Sequence, residues 1–323
     1  MSVKVAVLGI GNHARRNTLP ALAECKSIEL VGISSRNKNI TRQEAERYQC
    51  KVYADGNEIL ADNNIDAVYI ALPIGLHADW GLKTLQSGKH LWCEKSLTHS
   101  PEISRQVIKE ATRNALSVCE CFMYVHHPQF EYLKKIMEGG KIGEVKHITA
   151  RFGFPHLSPD DIRYSKVLGG GALLDAGCYP IHAVRQLTQS VPEHVHSILS
   201  SGAGFEVDTG GSVLMNFDTG LHAHVQWGFG LHYSNEIELW GERGQVRAKR
   251  AFSKPSNYES VIEILDSDGN RKTKNIPACN HFIAMFSLFA NACKDANIRQ
   301  IFLEDAEQQA FLMEKINNHN PGY

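Results

Sequence analysis

Residues 3–14 constrain this chain more than any other stretch. VKVAVL at 3–8 reads as a buried strand, and it runs straight into Gly9-Ile-Gly11-Asn12-His13-Ala14 and a helical pattern reaching residue 24. A first glycine permits the tight turn out of a strand, and a second lets the backbone approach a pyrophosphate. A small third residue, here Ala14, lets helix and strand pack closely, and the helix N-terminus offers amide donors to an anion. Taken by itself such a turn is also a plain strand–helix connection. Ending the first strand of a strand–helix–strand unit, it points to a dinucleotide.

The periodicity that follows supports that unit. Apolar runs at 28–33, 67–72, 90–93 and 116–119 read as further strands, with helical patterns at 14–24, 41–48, 57–61, 76–87 and 101–114. Ser100 before Pro101 reads as an N-cap, and Gly88 closes the preceding helix. Alternation at this spacing predicts an α/β domain with a doubly wound parallel sheet. After Phe122 the pattern changes. A helix at 129–138 and a strand at 144–152 are followed by a helix at 173–188. In 221–229 Leu221, Ala223, Val225, Trp227 and Phe229 alternate with His222, His224, Gln226 and Gly228. Helices at 282–294 and 304–317 end the chain. The second domain is therefore expected to be α+β, with a large, mostly antiparallel open sheet. The length, 323 residues, also favours two domains; the expected division is 1–121 and 122–323.

Composition removes several function classes. Lys and Arg number 34 against 35 Asp and Glu, a net charge of -1, which leaves no electrostatic footprint for nucleic acid or an anionic membrane. No window approaches an apolar membrane span, and residues 1–9 lack the signal-peptide pattern. Eight cysteines without a CxxC pair read as free thiols of a reducing, cytoplasmic compartment.

Two further regions carry chemistry. At the end of the second strand stand Ser34-Ser35-Arg36-Asn37, with no acid for ribose hydroxyls. A guanidinium there suits a 2′-phosphate, so NADP(H) is favoured, with NAD the alternative. Glu94-Lys95 follows the strand at 90–93, at the carboxyl edge where such sheets place ligands. Much later comes Gly169-Gly170-Gly171-Ala-Leu-Leu-Asp175-Ala-Gly177-Cys-Tyr179. The glycines permit close approach of a ligand or of a neighbouring helix. Asp175 and Tyr179, four apart, would share one helix face, and a phenol beside a cation can move protons. His222 and His224 alternate on one strand face as a metal pair would. No third ligand is evident, so no metal is expected and the polar side of a sheet is the plainer reading.

These motifs together resemble the glucose–fructose oxidoreductase, inositol dehydrogenase and MocA family. Its marks are the N-terminal GxGxxA or GxGxxG, Glu-Lys-Pro after the fifth strand and a glycine-rich Asp-x-Gly-x-His or Asp-x-Gly-x-Tyr helix, here Gly9–Ala14, Glu94-Lys95-Ser96 and Asp175–Tyr179. The resemblance implies an N-terminal Rossmann domain, an α+β substrate domain and a homodimer or homotetramer through the open sheet. It implies Lys95 and Tyr179 as the catalytic pair, with Asp175 contacting substrate or orienting these groups. It places Leu72, Pro73, His77 and Glu94 by the cofactor, and His126, Arg163 and Tyr164 by the substrate. The stretch 152–180 and Val125-His126-His127-Pro128-Gln129 are most similar to NADPH-dependent ketoreductases of nucleotide-linked keto-deoxysugars. An aldose or trans-dihydrodiol dehydrogenase is the enzymatic alternative. Ser96 departs from the family proline, which keeps open an altered site or a non-catalytic dinucleotide sensor.

Overall fold

The structure, a computed structural model, describes residues 2–202 and 204–318. By contact it divides into two units. One comprises Met1–Phe122 with Phe282–Ala310, the other Met123–His281 with Phe311–Tyr323.

The first unit is built on six parallel strands. They are β1 (Val3–Leu8), β2 (Ile28–Ser34), β3 (Lys51–Val52), β4 (Ala67–Ile70), β5 (His90–Cys93) and β6 (Val118–Glu120), in the order β3-β2-β1-β4-β5-β6. The order reverses beside β1, so the turn after β1 lies at the switch point where such sheets take ligands. All four residues of β4 are buried, as a strand covered on both faces requires. The sequence reading missed β3 because its two residues, Lys51 and Val52, are both exposed and form no apolar run. A π-helical turn at Ala14–Thr18 leads into α1 (Leu19–Glu24). Then come α2 (Lys38–Tyr48), capped by Asn37, α3 (Gly56–Ala61), capped by Asp55, α4 (His77–Gln86) and α5 (Pro101–Arg113). Ser100 does precede α5, but its side chain makes no capping bond; Pro101 sets the start.

The second unit has eight strands. They are β7 (Val145–Phe154), β8 (His194–Ser200), β9 (Gly210–Asn216), β10 (His222–Phe229), β11 (Ser234–Gly241), β12 (Gly244–Lys249), β13 (Ser260–Leu265) and β14 (Arg271–Ile276). Their order is β14-β13-β12-β11-β7-β10-β9-β8, antiparallel except for β7 beside β10. The expected alternation holds in β10: Ala223, Val225, Trp227 and Phe229 are buried and His222 is exposed. The helices of this unit are α6 (Pro128–Gly139) and α7 (Cys178–Thr188). A π-helical turn, Leu173–Gly177, precedes α7. It replaces the continuous α-helix expected at 173–188. Gly177 packs so closely that a Cβ would lie 2.8 Å from the Trp227 ring.

Two helices, α8 (His281–Ala292) and α9 (Ala296–Asn318), end the described chain. The sequence reading ran the second domain unbroken to residue 323. By contact, Phe282–Ala310 belongs with the first unit. Phe286 lies 5.5 Å from the Tyr69 ring and stacks on Trp92 at 6.0 Å, and Phe289 meets Trp92 at 5.6 Å. Helical periodicity shows that a face is buried, not which sheet buries it. All eight cysteines are free thiols.

Candidate active site

In the first unit, the turn after β1 is built for close approach. Gly9 has φ +100°, and a Cβ there would meet the Ala71 carbonyl oxygen at 2.6 Å. Gly11 differs, because a Cβ on it would meet nothing within 4 Å. The Gly9 amide donates to the Ser34 carbonyl at 2.8 Å. Among the described residues, the amides of Gly11 and Asn12 meet no acceptor. Two adjacent open donors at the start of a helix, with space above the second glycine, fit a pyrophosphate. Ala14 is buried beneath them.

The turn after β2 suits the other end of a dinucleotide. Ser34 is buried, Ser35 Oγ bonds Thr41 Oγ1 at 2.7 Å, and the Asn37 side chain accepts from the Ile40 amide. Arg36 is exposed and has no ion-pair partner among the described residues, so its guanidinium is available to a phosphate. Sequence reasoning missed a neighbouring feature. A cavity of about 270 Å³ is lined by Asn12, Arg15, Arg16, Glu44 and Arg47. Arg15 Nε donates to buried Glu44 at 2.7 Å, which neutralises one cation of the three.

Glu94 is the hub of the turn after β5. Its carboxylate accepts from the Tyr69 hydroxyl and lies 3.4 Å from His13 Nε2. Thr18 Oγ1 completes the chain, 3.3 Å from the Tyr69 hydroxyl. Burial alone would push the Glu94 carboxyl up; His13, the Tyr69 bond and Lys95 outweigh it and hold it below its usual value. Burial, with the Glu94 charge, raises the Tyr69 phenol well above its ordinary value. A tyrosine in the apolar run of β4 could have flagged this network, since a buried phenol needs a partner. The Lys95–Ser96 peptide is cis although residue 96 is serine where the family has proline. His77 is 1% exposed, with Nδ1 2.9 Å from the Ser96 carbonyl and Nε2 2.8 Å from that of Leu72. Both ring nitrogens face backbone carbonyls, and burial holds the ring below its usual pKa, so the neutral imidazole donates to one of the two and only packs against the other. Leu72 and Pro73 are half-buried at the same edge.

In the second unit, Tyr179 is 6% exposed in an aromatic setting of Phe152, Tyr124 and Phe252, at centroid distances of 5.5, 6.0 and 6.0 Å. Its hydroxyl lies 3.8 Å from Met123 Sδ. Buried Tyr124, whose hydroxyl is 2.6 Å from His182 Nδ1, supports this wall. Asp175 lies within the π-helical turn, so its four-residue spacing to Tyr179 is not that of a regular α-helix. Its Oδ2 accepts from Arg163 Nε at 2.7 Å, and Arg163 Nη1 reaches Asp161 at 3.1 Å. Burial would lower the Arg163 guanidinium, but the two carboxylates raise it overall. Tyr164 is buried, stacked on Phe205 at 4.5 Å, and its hydroxyl accepts the Leu157 amide at 3.2 Å. That hydroxyl is engaged within its own loop. His126 ends the short helical turn Met123–His126 and is half-buried.

The triple glycine serves the chain itself. A Cβ on Gly170 would lie 2.4 Å from the Arg163 carbonyl oxygen, and one on Gly171 2.4 Å from Asp208 Oδ1. The amides of Gly170, Gly171 and Ala172 donate to the carbonyls of Ser165, Arg163 and Asp208, and Leu173 donates to Asp208 Oδ2 at 2.6 Å. Asp208, absent from the sequence reading, is pushed up to about 6 by burial.

Comparison with known proteins agrees with this architecture. Residues 3–121 match the model of an oxidoreductase family with an NAD-binding Rossmann fold, and residues 130–247 match the GFO/IDH/MocA C-terminal domain. A dTDP-3,4-didehydro-2,6-dideoxy-alpha-D-glucose 3-reductase of Saccharopolyspora spinosa is 37% identical over 266 residues, covering 81% of this chain and 79% of that protein. The same enzyme of Actinomadura kijaniata is 32% identical, covering 97% and 94%. A crystal structure of a 3-ketoreductase from Actinomadura kijaniata, in complex with NADP and TDP-benzene, superposes with a TM-score of 0.94 at 31% identity, covering 99% of this chain and 98% of that one. Among the described residues no helix is long and apolar enough to cross a membrane. With both its parts matched and relatives above 30% identity along most of its length, the chain belongs to the GFO/IDH/MocA family of oxidoreductases.

Proposed function

We propose that this protein is an NADPH-dependent reductase of a nucleotide-linked keto-deoxysugar, acting on a 3-keto group. The observation that carries the reading is a spacing. The related 3-ketoreductase has been solved with a lysine replaced and with a tyrosine replaced, and those two residues stand as far apart in its chain as Lys95 and Tyr179 do here. Exposed Arg36 and the open amides of Gly11 and Asn12 support a phosphorylated dinucleotide.

In this reading bound NADPH supplies the hydride. Tyr179 holds a proton at its hydroxyl and gives it to the emerging alkoxide. The Lys95 ammonium binds the reacting oxygen and offsets its charge. Asp175, fixed by Arg163, orients the substrate, with His126 and Tyr164 shaping its surroundings. Ser34, Ser35, Arg36 and Asn37 take the adenosine end of the cofactor, while Gly9–Ala14, Leu72, Pro73 and Glu94 frame the rest. The eight free thiols fit a cytoplasmic enzyme. A homodimer or homotetramer through the outer face of the eight-stranded sheet is part of the proposal; Ile198, Leu214 and Trp240 are 63%, 53% and 52% exposed there.

The test is NADPH consumption against dTDP-linked 3-keto and 4-keto sugars, free aldoses and trans-dihydrodiols, the last two with NADP as oxidant. Turnover of a 3-keto sugar nucleotide supports the reading. Turnover confined to aldoses or diols would replace it with the dehydrogenase alternative, and none at all would favour a sensor. Sedimentation of the purified chain checks the oligomer.

A further inference from the structure

His77 is a buried titratable side chain that the proposed chemistry leaves without a task. It opens α4, it is 1% exposed, and its two nitrogens face two carbonyl oxygens from different loops. Nε2 lies 2.8 Å from the Leu72 carbonyl on the loop after β4. Nδ1 lies 2.9 Å from the Ser96 carbonyl on the loop after β5. Ser96 directly follows Lys95, and the Ser96 carbonyl belongs to the stretch that sets where the Lys95 backbone points. On the other side of Lys95, Glu94 is anchored by Tyr69 and His13. Lys95 is therefore flanked by two fixed neighbours, one held through its carboxylate and one through its carbonyl.

We propose that His77 is a positioning residue for Lys95: its imidazole is a strut that bridges the loops after β4 and β5 and holds the Lys95 turn in register. A helix-opening residue suits this task, because α4 gives the ring a rigid base. The ring is too deeply buried to serve as a proton donor to substrate, and its contacts are to backbone carbonyls. The proposal rests on the reading of Lys95 as the group that meets the reacting oxygen.

Two variants separate a strut from mere packing. His77→Leu keeps apolar bulk and loses the hydrogen bond that the neutral ring donates to one of the two carbonyls. His77→Gln keeps one amide donor. If a displaced Lys95 loses alignment, kcat of His77→Leu falls by about ten- to a hundred-fold, with His77→Gln intermediate. NADPH affinity, measured by fluorescence titration, falls by a smaller factor than kcat, because the Gly11 and Arg36 turns lie apart from the strut while Leu72, Pro73 and Glu94 flank it. The second readout needs no substrate. The rate at which acetic anhydride labels Lys95, read by peptide mass spectrometry, changes by roughly three-fold or more in His77→Leu, while exposed Lys26 and Lys109 label as in wild type. Wild-type kcat and labelling in His77→Leu would overturn the proposal, as would a lost kcat with Lys95 labelling unchanged. Should His77→Leu fail to fold, His77→Gln decides alone: lowered kcat with altered Lys95 labelling supports the strut, and wild-type values of both overturn it. If wild type turns over no sugar nucleotide, the proposed function fails, and the labelling still judges the strut.

Discussion

Two glycine-rich turns introduce helices in this molecule, and they do opposite things. After β1, Gly9 is locked against Ala71, but Gly11 faces open space and the Gly11 and Asn12 amides have no acceptor among the described residues. Before α7, Gly170 and Gly171 press on Arg163 and Asp208, and four consecutive amides, from Gly170 to Leu173, are spent within the chain. The first turn is prepared for an anion. The second is prepared to hold a π-helical turn that carries Asp175 and leads to Tyr179. Glycine in both cases relieves a steric conflict, and only the hydrogen-bond inventory separates a binding turn from a structural one.

Several substitutions put that contrast at risk. The largest effect is expected at the end of the second turn: Tyr179→Phe should lower kcat by about 10²–10⁴-fold with NADPH affinity unchanged, checked by steady-state kinetics and fluorescence titration. Next comes Gly171→Ala, where φ is +122° and Asp208 is in the way. It should cost about 2–4 kcal/mol of stability, read as a lowered denaturant midpoint. Its counterpart Gly11→Ala should leave stability within about 0.5 kcal/mol yet weaken NADPH binding by roughly ten-fold. Equal destabilisation by the two would erase the distinction. Arg36→Glu should weaken NADPH by about ten-fold while sparing NADH, which a ratio of dissociation constants measures.

A further effect concerns pH. Asp208 titrates at about 6 in the folded chain, above the ordinary aspartate value of 3.8. The folded state therefore keeps this proton when the unfolded chain has lost it. The contribution of Asp208 to stability is full below the ordinary value and is lost as pH rises towards about 6. Asp208→Asn should remove that part of the slope, seen by comparing chemical denaturation of the two proteins across this window.

How much of this was legible beforehand follows from where the information lies. The strand before Gly9 and the alternation in β10 are local patterns, and both appear as read. The placement of Phe282–Ala310 is not local, because Phe286 and Phe289 pair with Tyr69 and Trp92, far away in sequence. The same holds at the site. Lys95 and Tyr179 sit in short motifs, and their proposed roles come from the family resemblance that those motifs carry. Tyr69, Thr18, Asp208 and the Arg15–Glu44 pair act through partners that only the fold supplies. His77 was readable as a residue at the right edge, but not as one whose ring is lodged between two backbone carbonyls.

The account centres on hydride passing from NADPH to the keto carbon of a nucleotide-linked sugar, and isotope transfer tests this most directly. The wild-type protein would be incubated with NADPH deuterated on the transferring face of its nicotinamide and a dTDP-linked 3-keto-deoxysugar, and the product examined by NMR. The account predicts one deuterium at carbon 3 of the sugar, beside a new hydroxyl. Deuterium at another carbon, or NADPH left unconsumed, would contradict it.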